Sequence, residues 1–214
     1  MSTKSLASSP RAKRATALAM FISWLRHPGR WLKWTFANRD RRAANAERWS
    51  DLGNFDHRWD ERTRLIAARC EGADSVVEFG AGRGVLPTQL DPSVVYLPSD
   101  IISRGPETLV WDLNRGAPEL DRHYDIAVFS GVLEYVADIG SLIRGLQEQV
   151  TQIVASYAST DEVPDRLTRL ENGWTNHLSI DAFIAVMADN GFDCIERESW
   201  LDSSIYAFRS NASS

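Results

Sequence analysis

Three glycines at alternate positions, Gly80, Gly82 and Gly84, follow directly on a short apolar run, Val76-Val77-Glu78-Phe79. A β-branched, apolar run of this kind reads as a buried strand. Glycine has no Cβ, so each of the three can take a positive φ and let a ligand approach the backbone closely. Asp100 stands 20 residues beyond Gly80, after a second apolar run. A carboxylate at the end of a second strand can accept hydrogen bonds from both hydroxyls of a ribose, and this separation suits that role. Glycine turn and acid together describe a nucleotide-type site at the carboxyl ends of parallel strands. A dinucleotide fingerprint laid from Gly80 requires Gly or Ala at 85, where Val85 stands, so the spacing argues against NAD.

The surrounding pattern supplies elements to position these residues. Residues 44–72 read as helix, turn at Gly53-Asn54, and helix, with His57 and Trp59 near the turn. Pro87 suits the first turn of a brief helix after the glycines. Further strands are predicted over Val94–Leu97, Thr108–Trp111, Tyr124–Ser130 and Gln152–Tyr157, with a helix over 139–149 and a loop over 158–173. Ser179 is placed to cap a helix that stops at Asn190-Gly191. Two closing strands, Phe192–Ser199 and Ser204–Phe208, read as a hairpin. The expected fold is α/β: a seven-stranded, mostly parallel, doubly wound sheet with an antiparallel last strand, plus an N-terminal helical extension.

The chain has 214 residues, 43% hydrophobic and 25% charged, which suits one domain with an extension. Its net charge of −5 hides an asymmetry. Residues 1–42 hold ten Lys or Arg against a single acid, Asp40, and the remainder is strongly acidic. An acidic body is unsuited to neutralising phosphates, so nucleic acid is not an expected partner. The basic, Trp-rich stretch is expected to form an extension over residues 1–43, ahead of a domain over 44–214. Basic residues interleaved with tryptophans suit a helix on an anionic membrane surface, giving a peripheral contact through residues 15–42. The apolar run Ala15–Leu25 is too short to span a bilayer. Two distant cysteines, Cys70 and Cys194, and four scattered histidines indicate no metal site and a reduced, cytoplasmic setting.

The stretch E-x-G-x-G-x-G from Glu78 to Gly84 resembles the first motif of the class I S-adenosylmethionine-dependent methyltransferases. The fourth motif of that family often reads D-x-x-x-x-x-x-V-L-E/H-H-V-x-D. This chain matches it at Asp125, Val132, Leu133, Glu134, Val136 and Asp138, and departs at Tyr135, where His is common. The resemblance covers residues 60–209 and implies transfer of a methyl group from S-adenosyl-L-methionine to a small molecule such as a sugar, a lipid-linked or a natural-product intermediate.

It also assigns roles. Glu78, Gly80, Gly82 and Gly84 would meet the methionine end, Asp100 the ribose, Asp112 and Leu113 the adenine, and Ser130 the region of the sulfonium, with Ile101 a further cofactor-binding residue. His177, in a loop expected to overhang the pocket, is the candidate base, with Glu134 and Tyr135 near the pocket mouth. Two other classes stay open at this point: a protein that keeps the cofactor pocket without turnover, and a membrane-surface scaffold built on the N-terminus.

Overall fold

The computed structural model describes residues 41–211, and those from Asn45 onward belong to one compact unit. The basic extension over 1–43 and the membrane contact assigned to 15–42 lie outside the described residues, save for the first turn of α1 (Arg41–Ser50). Helix α2 spans Trp59–Ala68 and leads into the sheet.

The sheet has seven strands: β1 (Ser75–Phe79), β2 (Val95–Asp100), β3 (Leu109–Val110), β4 (Tyr124–Ser130), β5 (Val150–Tyr157), β6 (Phe192–Trp200) and β7 (Ser203–Ser210). Their spatial order is β3-β2-β1-β4-β5-β7-β6. Strands β1 to β5 pair in parallel, and β7 runs antiparallel to both β5 and β6. This is the expected mostly parallel sheet with an antiparallel last strand.

Strand alternation sends β1 and β4 side chains to two cores. Val77, Phe79, Ala127 and Phe129 face α3 (Ile139–Leu146) and α5 (Ile180–Asp189), through Leu142, Ile143, Phe183 and Met187. Val76, Ile126 and Val128 face the opposite side, where Ile66 and Ala67 of α2 cover them. Both caps follow from sequence: Asp138 accepts from the Ser141 amide at 2.9 Å, and Ser179 accepts from the Ala182 amide at 3.1 Å. Asp125, one of the motif positions, is a staple for the start of β1. Its Oδ2 accepts from the Asp74 and Ser75 amides, each at 2.9 Å.

Two expectations need correction, the brief helix after the glycines and the loop 158–173. The brief helix is a single 3-10 turn, Leu86–Thr88, because Asp91-Pro92 follows too soon for a second turn to form. β2 runs through Pro98 and ends at Asp100, as expected. Its outer neighbour β3 pairs only with Ser99 and Asp100, so the missing proline N–H leaves no ladder bond broken. The loop 158–173 contains a short helix, α4 (Arg166–Glu171), whose Asp165 cap accepts from the Thr168 amide at 2.8 Å.

Candidate active site

A cavity of about 350 Å³ opens where β1, β2 and β4 end. The glycine loop forms its floor. Gly80 and Ala81 both donate to the Ser99 carbonyl, at 2.8 and 3.0 Å, which hinges the loop onto β2. Gly80 and Gly82 have φ of +79° and +53°. A Cβ on Gly80 would stand 3.0 Å from Val132, and one on Gly82 only 2.7 Å from the Phe55 ring. The loop is therefore a cradle that only glycine leaves open. Gly84 also has a positive φ, but it does not line the cavity and a Cβ there would meet open space.

Asp100 is buried at the end of β2. Its Oδ2 accepts from the Gly82 amide at 2.9 Å and from Arg104 Nε at 3.1 Å. Acid and glycine loop, 18 residues apart, are thus tied directly. Ile101 continues the wall, and Asp112 and Leu113 close the far end. Asp112 Oδ1 caps the turn Leu113–Arg115 through the Asn114 amide at 3.0 Å. Asn114 in turn bonds Tyr135 O and the Ala137 amide, which fixes this end of the cavity to the turn after β4.

Glu78 lies on the face of β1 toward α2 and accepts from the Tyr96 hydroxyl of β2. Burial is the main cause that pushes its carboxyl up to about 8, with the Asp100 charge adding to it; Tyr96 and Arg62 act in the other direction. Glu134 is equally buried. Its Oε1 accepts from the Ala158 amide at 2.8 Å while Oε2 has no partner, and desolvation raises its pKa. Tyr135 beside it is pushed up to about 12 by burial, opposed first by Arg48. Ser130 ends β4 and meets Arg62 of α2, whose Nε donates to Ser130 Oγ at 3.2 Å.

His177 is not brought to the cavity. Residues Thr175 and Asn176 bind the turn after β4, through the Glu134, Leu133 and Val136 carbonyls. His177, next in the chain, does not line the cavity, and its Nδ1 accepts from Arg169 Nε at 3.1 Å. Arg169 is fully buried and its remaining donors hold the Ala158, Ser159 and Asn176 carbonyls. It is the clasp of this loop. Of the two residues flagged near the first turn, Trp59 lines the cavity and His57 does not.

Arg62 and the cavity tryptophans Trp49, Trp174 and Trp200 were not singled out as site residues by sequence reasoning. Arg62 had a legible signal: it shares the inward stripe of α2 with Thr63 and Ile66, where an arginine is out of place unless it meets a ligand or polar group. Among the described residues no group of three or more His, Cys, Asp or Glu side chains is arranged to hold a metal ion, and no helix is long and apolar enough to cross a membrane.

The fold is shared with solved methyltransferases. The mitomycin 7-O-methyltransferase MmcR superposes with a TM-score of 0.61 at 16% identity, covering 86% of this chain and 68% of that one. The 1,6-didemethyltoxoflavin-N1-methyltransferase of Burkholderia thailandensis, solved with 1,6-didemethyltoxoflavin and S-adenosylhomocysteine, gives 0.55 at 14% identity over 97% and 93%. The N-methyltransferase NodS of Bradyrhizobium japonicum WM9, in complex with S-adenosylhomocysteine, gives 0.52 at 14% over 71% and 85%. A search of the curated proteins finds no match. The sequence model described as a methyltransferase domain matches residues 49–197, and the chain belongs to that family.

Proposed function

We propose that this protein transfers a methyl group from S-adenosyl-L-methionine to a small-molecule acceptor. The observation that carries the reading is the convergence of Gly80, Gly82, Asp100, Asp112 and Ser130 on one cavity, in a fold whose solved relatives hold S-adenosylhomocysteine. The residues present fit that cofactor. The glycine cradle at Gly80 and Gly82 has no room for a Cβ, Asp100 supplies a buried carboxylate able to accept from hydroxyls, and Arg62, bonded to Ser130 at the end of β4, has no ion pair among the described residues.

When bound, the cofactor supplies a methyl group already activated by its sulfonium, so the protein's task is placement and exclusion of water. In this reading Asp100 accepts from the ribose hydroxyls, and Asp112, with Ile101 and Leu113 as walls, addresses the adenine. Glu78 takes the amino group and Arg62 the carboxylate of the methionine end, a bidentate pairing that guanidinium favours. Ser130 bounds the space beside the sulfur. At the acceptor's side Glu134 Oε2 is the buried oxygen able to receive the proton of an attacking O–H or N–H, since burial raises its basicity. Glu134 would hold the acceptor's proton, the methyl carbon coming from the bound cofactor, whose sulfur keeps the electron pair. Tyr135 walls the approach.

The test is calorimetric titration with S-adenosylmethionine, S-adenosylhomocysteine and NAD, beside Asp100→Ala. Saturable binding of the first two, absent for NAD and lost in the variant, supports the reading; no binding of either overturns it.

A further inference from the structure

We infer that the acceptor carries an acidic group, carboxylate or phosphate, on a flat body, and that Arg48 reads its charge. The inference rests on the methyltransferase reading and names the acceptor class for the same site. The wall of the cavity includes Trp49, Phe55, Trp59, Tyr135, Trp174 and Trp200. The first four form one cluster, with Trp49 centred 5.2 Å from Phe55, 6.1 Å from Trp59 and 5.8 Å, edge-on, from Tyr135.

The rings are already engaged by cations. Arg48 lies over Trp49 at 5.1 Å, Arg104 over Phe55 at 5.6 Å and Arg169 over Trp174 at 4.8 Å, while Arg62 meets both Trp59 and Trp200, at 5.4 and 5.7 Å. An aromatic face attracts one cation, and a guanidinium in place leaves little for a second. Arg104 is ion-paired with Asp100 and Arg169 is locked on carbonyls. Arg48 and Arg62 make no ion pair among the described residues. Arg48 spends one bond on the Asn172 carbonyl, at 2.8 Å.

The acids nearby do not cancel these charges. Asp56 is paired with Arg58 and Asp60 with Arg83. Glu134 acts on Arg62 and Arg169. Asp202, in the turn between β6 and β7, is exposed to water and acts from a distance on Arg58 and Arg62. A cationic acceptor entering the cavity would find two guanidinium groups and ring faces already taken. An anionic one gains charge-assisted hydrogen bonds from Arg48, and a planar body fits between aromatic walls. With Arg62 directed to the cofactor, Arg48 is the cation left to the acceptor.

The experiment uses the full chain. S-adenosylhomocysteine binding is measured first by calorimetry, and its absence overturns the underlying reading. On the saturated protein, benzoate, phenyl phosphate, benzamide and benzylammonium are compared by ligand-observed NMR titration; the four share a ring and differ in charge. The expected result is that benzoate or phenyl phosphate binds at least about tenfold tighter than benzamide and benzylammonium, the size of one charge-assisted bond. Which of the two anions binds better separates carboxylate from phosphate. Arg48→Gln should abolish the preference and Arg48→Lys should keep most of it. Equal binding of all four, tighter binding of benzylammonium, or binding of neither anion overturns the inference while the cofactor reading stands. The wild-type comparison decides alone should Arg48→Gln not fold.

Discussion

Arg83 of the glycine loop is ion-paired with Asp60 in the first turn of α2, and its Nη1 also reaches His57 Nδ1 at 3.2 Å. The pair ties the floor of the cavity to the segment that brings Phe55 and Trp59 over it. Asp60 is 41% exposed, so the bond contributes little to folding, about 1 kcal/mol or less. Its larger effect is on the order of the loop. Asp60→Asn is expected to leave the thermal midpoint nearly unchanged while weakening S-adenosylhomocysteine by about fivefold, the equivalent of that energy, in calorimetric titration.

Gly82 and Gly84 separate two costs of one substitution. Both have positive φ, so alanine at either carries backbone strain of about 1–2 kcal/mol. Only at Gly82 does the new methyl strike Phe55, at 2.7 Å. Gly84→Ala should lower the melting temperature modestly and retain cofactor affinity. Gly82→Ala should lower it further and abolish binding. Equal affinities in the two variants would show that the Phe55 contact is unimportant.

Glu78 is destabilising for the fold, and the pH dependence has a definite sign. Its carboxyl is pushed up to about 8 by burial, against 4.5 for the free group. Between those values the unfolded chain has released this proton and the folded chain retains it, so stability falls as pH rises from about 4.5 to about 8. Glu78→Gln keeps an acceptor for Tyr96 and removes the titration. The variant should melt higher than wild type at pH 8, with the difference vanishing below about 4.5. In the functional reading it should also bind S-adenosylmethionine more weakly above about pH 8, where the wild-type carboxyl is ionised, with the difference shrinking as pH falls.

Arg169 is the buried cation on which the loop after β5 closes. Its removal strips the donor from the Ala158 and Asn176 carbonyls and takes one from the Ser159 carbonyl and the His177 imidazole, although Ser159 keeps the Val163 amide. Arg169→Met is expected to destabilise the protein by about 3 kcal/mol or more, measured by urea denaturation, since each buried unpaired acceptor costs about 1–3 kcal/mol. Lysine should not rescue it, because one ammonium cannot span those directions.

Much of the scaffold was legible. The strands showed as β-branched runs, and spacing was enough to bring Gly80, Gly82 and Asp100 to one cavity, since that placement depends on short-range chain geometry. What escaped depended on distance through space. Helix α4 looked like a loop because Pro164 and alternating charges carry no apolar stripe strong enough to read. The helix expected after Pro87 was cut short by Asp91-Pro92. His177 fell away from the cavity for a reason no local pattern contains: Asn176 takes the inward position, and the imidazole is used to satisfy Arg169. The aromatic wall is assembled from α1, the 50s turn, the turn after β4, the α4 loop and the β6–β7 turn, so its tryptophans lie up to 151 residues apart (Trp49 to Trp200).

The crossover from β1 to β2 is made by a single 3-10 turn, and its effects reach beyond binding. β2 is only partly covered along its first four residues, β3 is two residues long, and Val95 and Val110 stand about half exposed. β4 and β5, by contrast, are sealed between the two cores. The sheet is thus a firm centre with a loosely clad rim, and Asp100 belongs to the rim. Amide hydrogens of β2 and β3 should exchange with solvent long before those of β4 and β5. A ligand held against Asp100 adds contacts at the buried end of β2, where this rim meets the cavity. Rim closure and occupancy become one equilibrium, and the survival of the protein against proteolysis is tied to the supply of the molecule it binds.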